Sequence, residues 1–509
     1  MSNFSIECTS CNTTTPMATS TTISNRGRSF DVNRRAVYHS LETGGGYESL
    51  STFCGIMNMP CISKKAYQEQ VDVILEAQES EAQAELTKAG KKLRDVLVQE
   101  SDDELATDDI LDVTVSFDGT WAKRGFTSLF GVFFVMSVDT GEVLDYHVLS
   151  KSCQQCLLKK SLFKDCLEKF EEWKVDHVNN GDCHVNFEGS SPAMEAEAAV
   201  VLWQRSIEKH QMRYRYMVSD GDSKSFSSVE NVYGDVKVEK IDCVGHVQKR
   251  MGKRLLKLKS NTKGKLDDGK TIGGRGRLTE AKIKQFQRYY GLAIRQNTIK
   301  KPNPTEVEVN VAVYAMKKNI IATLTHNIQS SSLESQHKFC PPGANSWCKW
   351  QQDKATGTKT YKPDNILPEV FVEVLRPVFM ALSDSKLLAR CVRGATQNRN
   401  ECINSLVWIR CPKHKFHSAK VVRFAVVSAV CHFHSGAASR EGVMFSLAIP
   451  GGAHTEKSCY NKDRKRVAKS DLQASEKSKR RREGEQLLKT RREEALREVE
   501  GVSYEAGGF

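Results

Sequence analysis

Between Val113 and Leu149 the chain carries three closely spaced runs rich in β-branched and aromatic residues, which an all-helical architecture could not absorb. They are Val113 to Phe117, Ser128 to Val138 and Glu142 to Leu149, with Asp139-Thr140-Gly141 supplying the turn between the last two. Met194 to His210 then shows helical periodicity, with Ala198, Val201, Leu202 and Ile207 on one side. Tyr214 to Ser219 and Val236 to Ile241 read as a fourth and a fifth strand.

The order strand-strand-strand-helix-strand-helix-strand predicts an α/β fold, a ribonuclease-H-like mixed sheet flanked by helices. Three acids stand where such a fold could use them. Asp118 ends the first run, Asp220 ends Tyr214 to Asp220 and is followed by Gly221 and Asp222, and Glu401 lies in Thr396 to Leu406, which reads as a helix start. They are 102 and 181 positions apart, so only folding could unite them. Carboxylates are the hard ligands that a pair of divalent cations needs. Such a pair, roughly 3.5–4 Å apart, clamps the attacking and leaving oxygens of a phosphodiester exchange.

The net charge of +13 and pI of about 8.9 favour a polyanionic partner. No run of 18 or more apolar residues is evident, Ser128 to Val138 being the longest apolar-rich stretch, so no membrane span is expected. The start, Met1 to Cys8, lacks the basic and apolar segments of a secretion signal. Sixteen cysteines then suggest reduced thiols and zinc rather than disulfides, in cytosol or nucleus.

Cys153, Cys156, His177 and Cys183 have the spacing C-x2-C-x20-H-x5-C, four ligands in one excursion as tetrahedral Zn²⁺ requires, with His184 a substitute for His177. His337, Cys340 and Cys348 lack an evident fourth ligand, and Cys8 with Cys11 would need Cys54 and Cys61. Cys243 and His246 are only two ligands, equally suited to core packing. Lys249, Arg250, Lys253, Arg254 and Lys257 recur at helical spacing and are candidates for DNA-backbone contact. Trp121 with Lys123 and Arg124, and Arg275 with Arg277 on a glycine-rich loop, are further candidates. Trp121 could equally be core.

The pattern along the chain divides it into an N-terminal region, 1–105, a candidate DNA-binding or accessory segment; a β-rich segment, 106–255; a mostly helical insertion, 256–385; a further segment, 386–450; and a charged, partly disordered tail, 451–509. Within the tail, Lys462 to Arg466 and Lys477 to Arg482 resemble a bipartite nuclear-import signal, and Glu483 to Glu500 has the mixed charge of a solvated helix.

Phe117-Asp118-Gly119-Thr120-Trp121, Val218-Ser219-Asp220-Gly221-Asp222, Cys243-Val244-Gly245-His246 and Asn400-Glu401-Cys402-Ile403-Asn404 occur in that order. Together they resemble the catalytic core of Mutator-like transposases, a cut-and-paste DDE group. The segments around Asn33-Arg34-Arg35, Tyr289-Tyr290-Gly291 and Ser346-Trp347-Cys348 extend the likeness over nearly the whole chain. The resemblance implies that 106–255 and 386–450 are the two parts of one catalytic core. It implies too that Asp118, Asp220 and Glu401 hold two Mg²⁺ or Mn²⁺ ions, with Asp222 the alternative to Asp220. Cys243 and His246 would be the family's Cys-x-x-His signature. It further implies double-stranded DNA (element ends and target) as partner and a homo-oligomer on that DNA, while the basic clusters of the tail point to a nuclear location. The alternative is a domesticated, catalytically inactive DNA-binding descendant.

Overall fold

The structure is a computed structural model that describes residues 3–18, 20–23, 29–99, 109–123, 128–164, 166–219, 224–301, 304–363 and 366–500. Two small antiparallel pairs come first, β1 (Asn3–Glu7) with β2 (Thr14–Ala18) and β3 (Thr22–Ile23) with β4 (Ser29–Phe30). Helices α1 (Asp31–Glu42), α2 (Gly46–Ile56) and the long α3 (Lys64–Gln99) follow. The acidic stretch that follows α3 falls mostly on 100–108, outside the described residues.

The three β-rich runs become β5 (Leu111–Trp121), β6 (Phe130–Ser137) and β7 (Val143–Ser150), antiparallel to one another in sequence. An excursion with α4 (Gln154–Leu162) and α5 (Leu167–Asn179) precedes α6 (Ser191–Gln204) and the short α7 (Ser206–His210). Then come β8 (Met212–Ser219), α8 (Lys224–Val229) and β9 (Glu239–Asp242). The five form one mixed sheet in the order β7-β6-β5-β8-β9. The fifth strand starts later than expected, because Val236 pairs instead with Tyr233 in an isolated bridge.

One expectation fails inside β5. Asp118 does not end the strand, which runs on through Trp121, with Asp118 paired to Phe134 and Trp121 to Gly131. Gly119 lies inside the strand. A Cβ at that position would come 2.5 Å from the Phe133 ring, so glycine makes room for an aromatic side chain on the neighbouring strand.

The chain divides into two compact units. One comprises Met1–Met217, Ser223–Glu239 and Gln397–Lys469, the other Val218–Asp222, Lys240–Thr396 and Ser470–Phe509. In the first, strand alternation sends Val113, Val115 and Phe117 to one face of the sheet, against Ala198, Leu202 and Trp203 of α6. Phe130, Val132, Phe134 and Met136 face the other way, into a core shared with α1, α3 and two later helices, α16 and α17, given below. Asp145 on β7 is buried and takes two hydrogen bonds from Arg205 (2.6 and 2.9 Å) and one from Lys209 (2.7 Å).

The second unit is helical: α9 (Val244–Asn261), α10 (Glu280–Arg295), α11 (Glu306–His326), α12 (Leu333–His337), α13 (Lys349–Thr356), α14 (Phe371–Leu382) and α15 (Ser385–Ala389). Val247, Met251 and Leu255 of α9 pack with Phe286, Tyr290, Met316, Ile320, Leu375 and Phe379. Thr305 and Glu308 form a capping box at the start of α11, as their spacing allows.

Returning to the first unit, the chain forms α16 (Asn398–Arg410), α17 (Ala419–Ser435) and α18 (Ser439–Ser446). Ala419–Ser446 is long and apolar enough to cross a bilayer, which the reading of the sequence overlooked. Its residues Val422, Phe424, Val426 and Val430 are instead buried in the core of a folded unit. The described residues of the tail form α19 (Ala453–Ala474) and α20 (Glu476–Glu500), the latter spanning the mixed-charge stretch that reads as a solvated helix. Strong helix formers and same-face ion pairs such as Lys479–Glu476 (2.9 Å) favour this state.

Candidate metal and nucleic-acid site

Helix α16 lies along β5, joined to it by a ladder of polar side chains. Ser116 Oγ donates to Asn400 Oδ1 at 2.6 Å, Asn404 Nδ2 to Asp118 Oδ2 at 2.9 Å, and Trp408 Nε1 to Thr120 Oγ1 at 2.8 Å. Four helical residues advance about 6 Å and two strand residues about 6.6 Å, so positions 400, 404 and 408 keep step with 116, 118 and 120. Just before the helix, Gln397 Nε2 donates to the Phe117 carbonyl at 2.7 Å. Arg399 packs its guanidinium over Gly141, whose φ of +74° and lack of a Cβ admit it.

One rung of this ladder holds Asp118 Oδ2, and the rungs two residues to either side keep the strand in register with the helix. Glu401, exposed in the first turn of α16, sits one residue after Asn400 and three before Asn404, hence one turn from the residue that binds Asp118. Two of the three sequence-nominated acids therefore belong to one docked strand–helix pair. Asp220, with its alternative Asp222, lies outside the described residues. Asn404 itself was quoted in the sequence motif but given no role; its spacing of three from Glu401 was the available signal.

Cys153, Cys156, His177 and Cys183 come together, all four ligand atoms lying within 4.8 Å of one another. Cys153 Sγ is 3.3 Å from His177 Nε2, and Cys156 Sγ is 3.7 Å from Cys183 Sγ. Burial pushes the Cys153 thiol up, but backbone N–H groups of His184 and Cys156, with the His177 ring, outweigh it and bring it to about 6, toward the thiolate that metals bind. Burial first, then the neighbouring sulfurs, push Cys156 up to about 12. His177, not His184, is the histidine in this group.

A second group of four is His326, His337, Cys340 and Cys348. Sequence spacing supplied three of these; His326, at the end of α11, is the missing ligand, brought in by folding. Cys8 lies near Cys11 and Cys54 near Cys61, but neither pair belongs to a group of three or more potential ligands among the described residues. Cys243 is buried at the start of α9 and joins no such group with His246 among the described residues.

The basic run occupies α9. Lys249, Lys253, Arg254 and Lys257 are exposed, while the apolar positions between them enter the helical core. Arg250 differs: its guanidinium lies 3.5 Å from fully buried Asp242, which also accepts from Arg390 at 2.6 Å. Arg277, a phosphate candidate on its glycine loop, is likewise turned inward. It is 5% exposed, paired to Asp268 and stacked over Phe371, leaving Arg275 as the exposed cation there. Trp121 packs edge-on against Phe133 with centroids 5.9 Å apart, as the core reading expected; Arg124 is outside the described residues.

Two clefts of about 410 and 720 Å³ in the first unit are lined by Asp145, His147, Cys183 and Arg205 and by Tyr38, Glu42, Arg440 and Cys459. Neither borders Asp118 or Glu401.

The family model of Mutator-like transposases matches residues 1–348, a span that includes Asp118, Asp220 and the Cys243–His246 pair and stops before Glu401. No curated protein and no solved structure matches the chain. With the match extending over well more than half of its length, the chain belongs to the Mutator-like transposase family.

Proposed function

We propose that this protein is a metal-dependent DDE transposase, cleaving the ends of a DNA element and transferring their 3′-hydroxyls to target DNA. The observation that carries the reading is the Asn404–Asp118 hydrogen bond, which ties the Asp118 strand to the helix bearing Glu401 across 286 positions of sequence. The strand order β7-β6-β5-β8-β9, with three antiparallel strands on one side, supports a ribonuclease-H-like core.

The donor set suits a hard divalent cation: carboxylates at Asp118 and Glu401, with Asn404 Oδ1 buried next to Asp118 and without a hydrogen-bond partner among the described residues. Asp118, Asp220 and Glu401 would hold two Mg²⁺ or Mn²⁺ ions. When bound, these supply Lewis-acid chemistry, lowering the pKa of a water or 3′-hydroxyl nucleophile and stabilising the departing oxygen. Asn404 orients the Asp118 carboxylate by donating to Oδ2, and the flanking rungs at Ser116 and Thr120 keep the strand from slipping. Lys249, Lys253, Arg254 and Lys257 would meet the DNA backbone, giving salt-dependent, sequence-independent affinity. The cluster at Cys153, Cys156, His177 and Cys183 suits a structural Zn²⁺. A homo-oligomer that pairs two element ends, acting in the nucleus, completes the proposal.

The test is incubation of purified protein with labelled element ends and Mg²⁺ or Mn²⁺. Wild type cuts and joins the label, and Asp118→Asn does neither. Binding of the ends without cleavage under both metals would instead identify a domesticated DNA-binding protein.

A further inference from the structure

Residues 329–363 leave the helical unit at a narrow neck. There Gln329 N donates to the Leu367 carbonyl at 2.8 Å, and Leu367 N to the Asn327 carbonyl at 2.9 Å. Among the described residues of this excursion no aliphatic or aromatic side chain is buried; Leu333 and Phe339 are exposed, and the helical core draws nothing from it. What is buried is His337, Cys340 and Cys348, with Gln336, Ser346 and Asp353. A segment this short without an apolar core ordinarily needs a staple.

The geometry of those buried groups supplies one. His326 Nδ1 lies 3.5 Å from Cys340 Sγ and 3.0 Å from His337 Nδ1, and Cys348 Sγ lies 3.5 Å from His337 Nδ1. The edges of a tetrahedron built on Zn–S of about 2.3 Å and Zn–N of about 2.0 Å are about 3.3–3.8 Å long, close to these separations. Two thiolates and two imidazoles in that arrangement select zinc over harder cations. Rings hold both imidazoles in place: His326 is edge-on to Trp347 (5.1 Å), and His337 is stacked on Trp350 (5.1 Å) and edge-on to Tyr361 (5.0 Å).

We propose that His326, His337, Cys340 and Cys348 form a second zinc centre, which holds residues 329–363 folded. It joins the end of α11, α12 and the start of α13, and takes the place of an apolar core in that lobe. Because metal binding and folding are one equilibrium in such a lobe, removing the ion unfolds it locally while the aliphatic core of the helical unit persists. The proposal does not depend on any DNA chemistry at Asp118 and Glu401.

The experiment is elemental analysis of zinc per chain in full-length protein purified without chelator. His326→Ala and Cys348→Ser should each lower zinc by one equivalent, and combining either with Cys156→Ser should remove a further one. Folded variants retaining the wild-type zinc content would overturn the proposal. Should the variants fail to fold, the wild-type chain serves, by alkylation mass spectrometry and limited trypsin digestion with and without a zinc chelator. Cys340 and Cys348 should become reactive, and the exposed Lys338, Lys349, Lys354 and Lys359 cleavable, only after chelation. Equal rates in both conditions would refute a metal at this position.

Discussion

Asn404 donates from Nδ2 to Asp118 Oδ2 at 2.9 Å, and its own helix carries Glu401 one turn earlier. Reversing the amide would set its oxygen against a carboxylate, so the carboxylate fixes which way the side chain points. Removing the amide should therefore disturb the acid more than the fold. Asn404→Leu is expected to slow end cleavage by about 10–100-fold, the usual cost of losing a group that orients a metal ligand. Asn404→Asp, placing like charge beside Asp118, should be worse. Cleavage rates measured beside unfolding midpoints check this; equal loss of activity and of folded protein would mean a purely structural role.

The cations of α9 divide by what they touch. Single Lys249→Gln, Lys253→Gln or Lys257→Gln changes should weaken DNA binding for every sequence alike and flatten the log-affinity against log-salt slope by about 1 each. Arg250→Gln should behave differently, because it strips a partner from buried Asp242. It is expected to lower thermal stability, a cost of about 3–5 kcal/mol being typical for breaking a buried pair and an upper bound for this partly exposed arginine. Binding isotherms across a salt series, with melting curves, separate the two classes.

Partly buried histidines of the first unit, His147 and His432 among them, contribute to its response to acid. Burial, then Arg205, lowers His147 to about 4, and burial, then Arg410 and Arg440, lowers His432 to about 4, both from 6.5. A depressed folded pKa means that the unfolded chain takes up the proton first. Their contribution to stability is thus complete above about pH 6.5 and is lost as pH falls from there toward 4. Glu42 adds to the loss in more acidic solution: burial raises its pKa, but Arg410 and Arg440 outweigh that and hold it below the usual carboxylate value. Melting temperature should fall across this window, and His147→Gln with His432→Gln should flatten the fall.

The cluster on the α4–α5 excursion carries its own expectation. Cys156→Ser should lower zinc content and loosen that excursion, seen as faster hydrogen exchange over 154–183. Unchanged exchange and zinc content would leave the four residues as a thiol–imidazole cluster without an ion.

Much of this was legible because it is local. The strands announced themselves through β-branched and aromatic runs, and the Cys153-x2-Cys156 pair with His177 and Cys183 lies within one excursion. What stayed hidden depends on distant partners. The place of Gly119 inside β5 is not legible locally, because nothing in its neighbourhood reveals Phe133, which fills the space above it from another strand. His326 was missed as a ligand because it ends a helix that looks like plain core, eleven residues before His337. Arg250 and Arg277 looked like their basic neighbours until Asp242 and Asp268 were brought against them. The pitch match between positions 400, 404, 408 and 116, 118, 120 is visible in sequence only once the helix is known to run along the strand.

The most direct measurement is anomalous scattering from Mn²⁺ in crystals of the protein grown with element-end DNA. Manganese bound to the carboxylates of both Asp118 and Glu401 is the expected result. Manganese absent from both residues, in a wild-type complex that binds its DNA, would contradict the account.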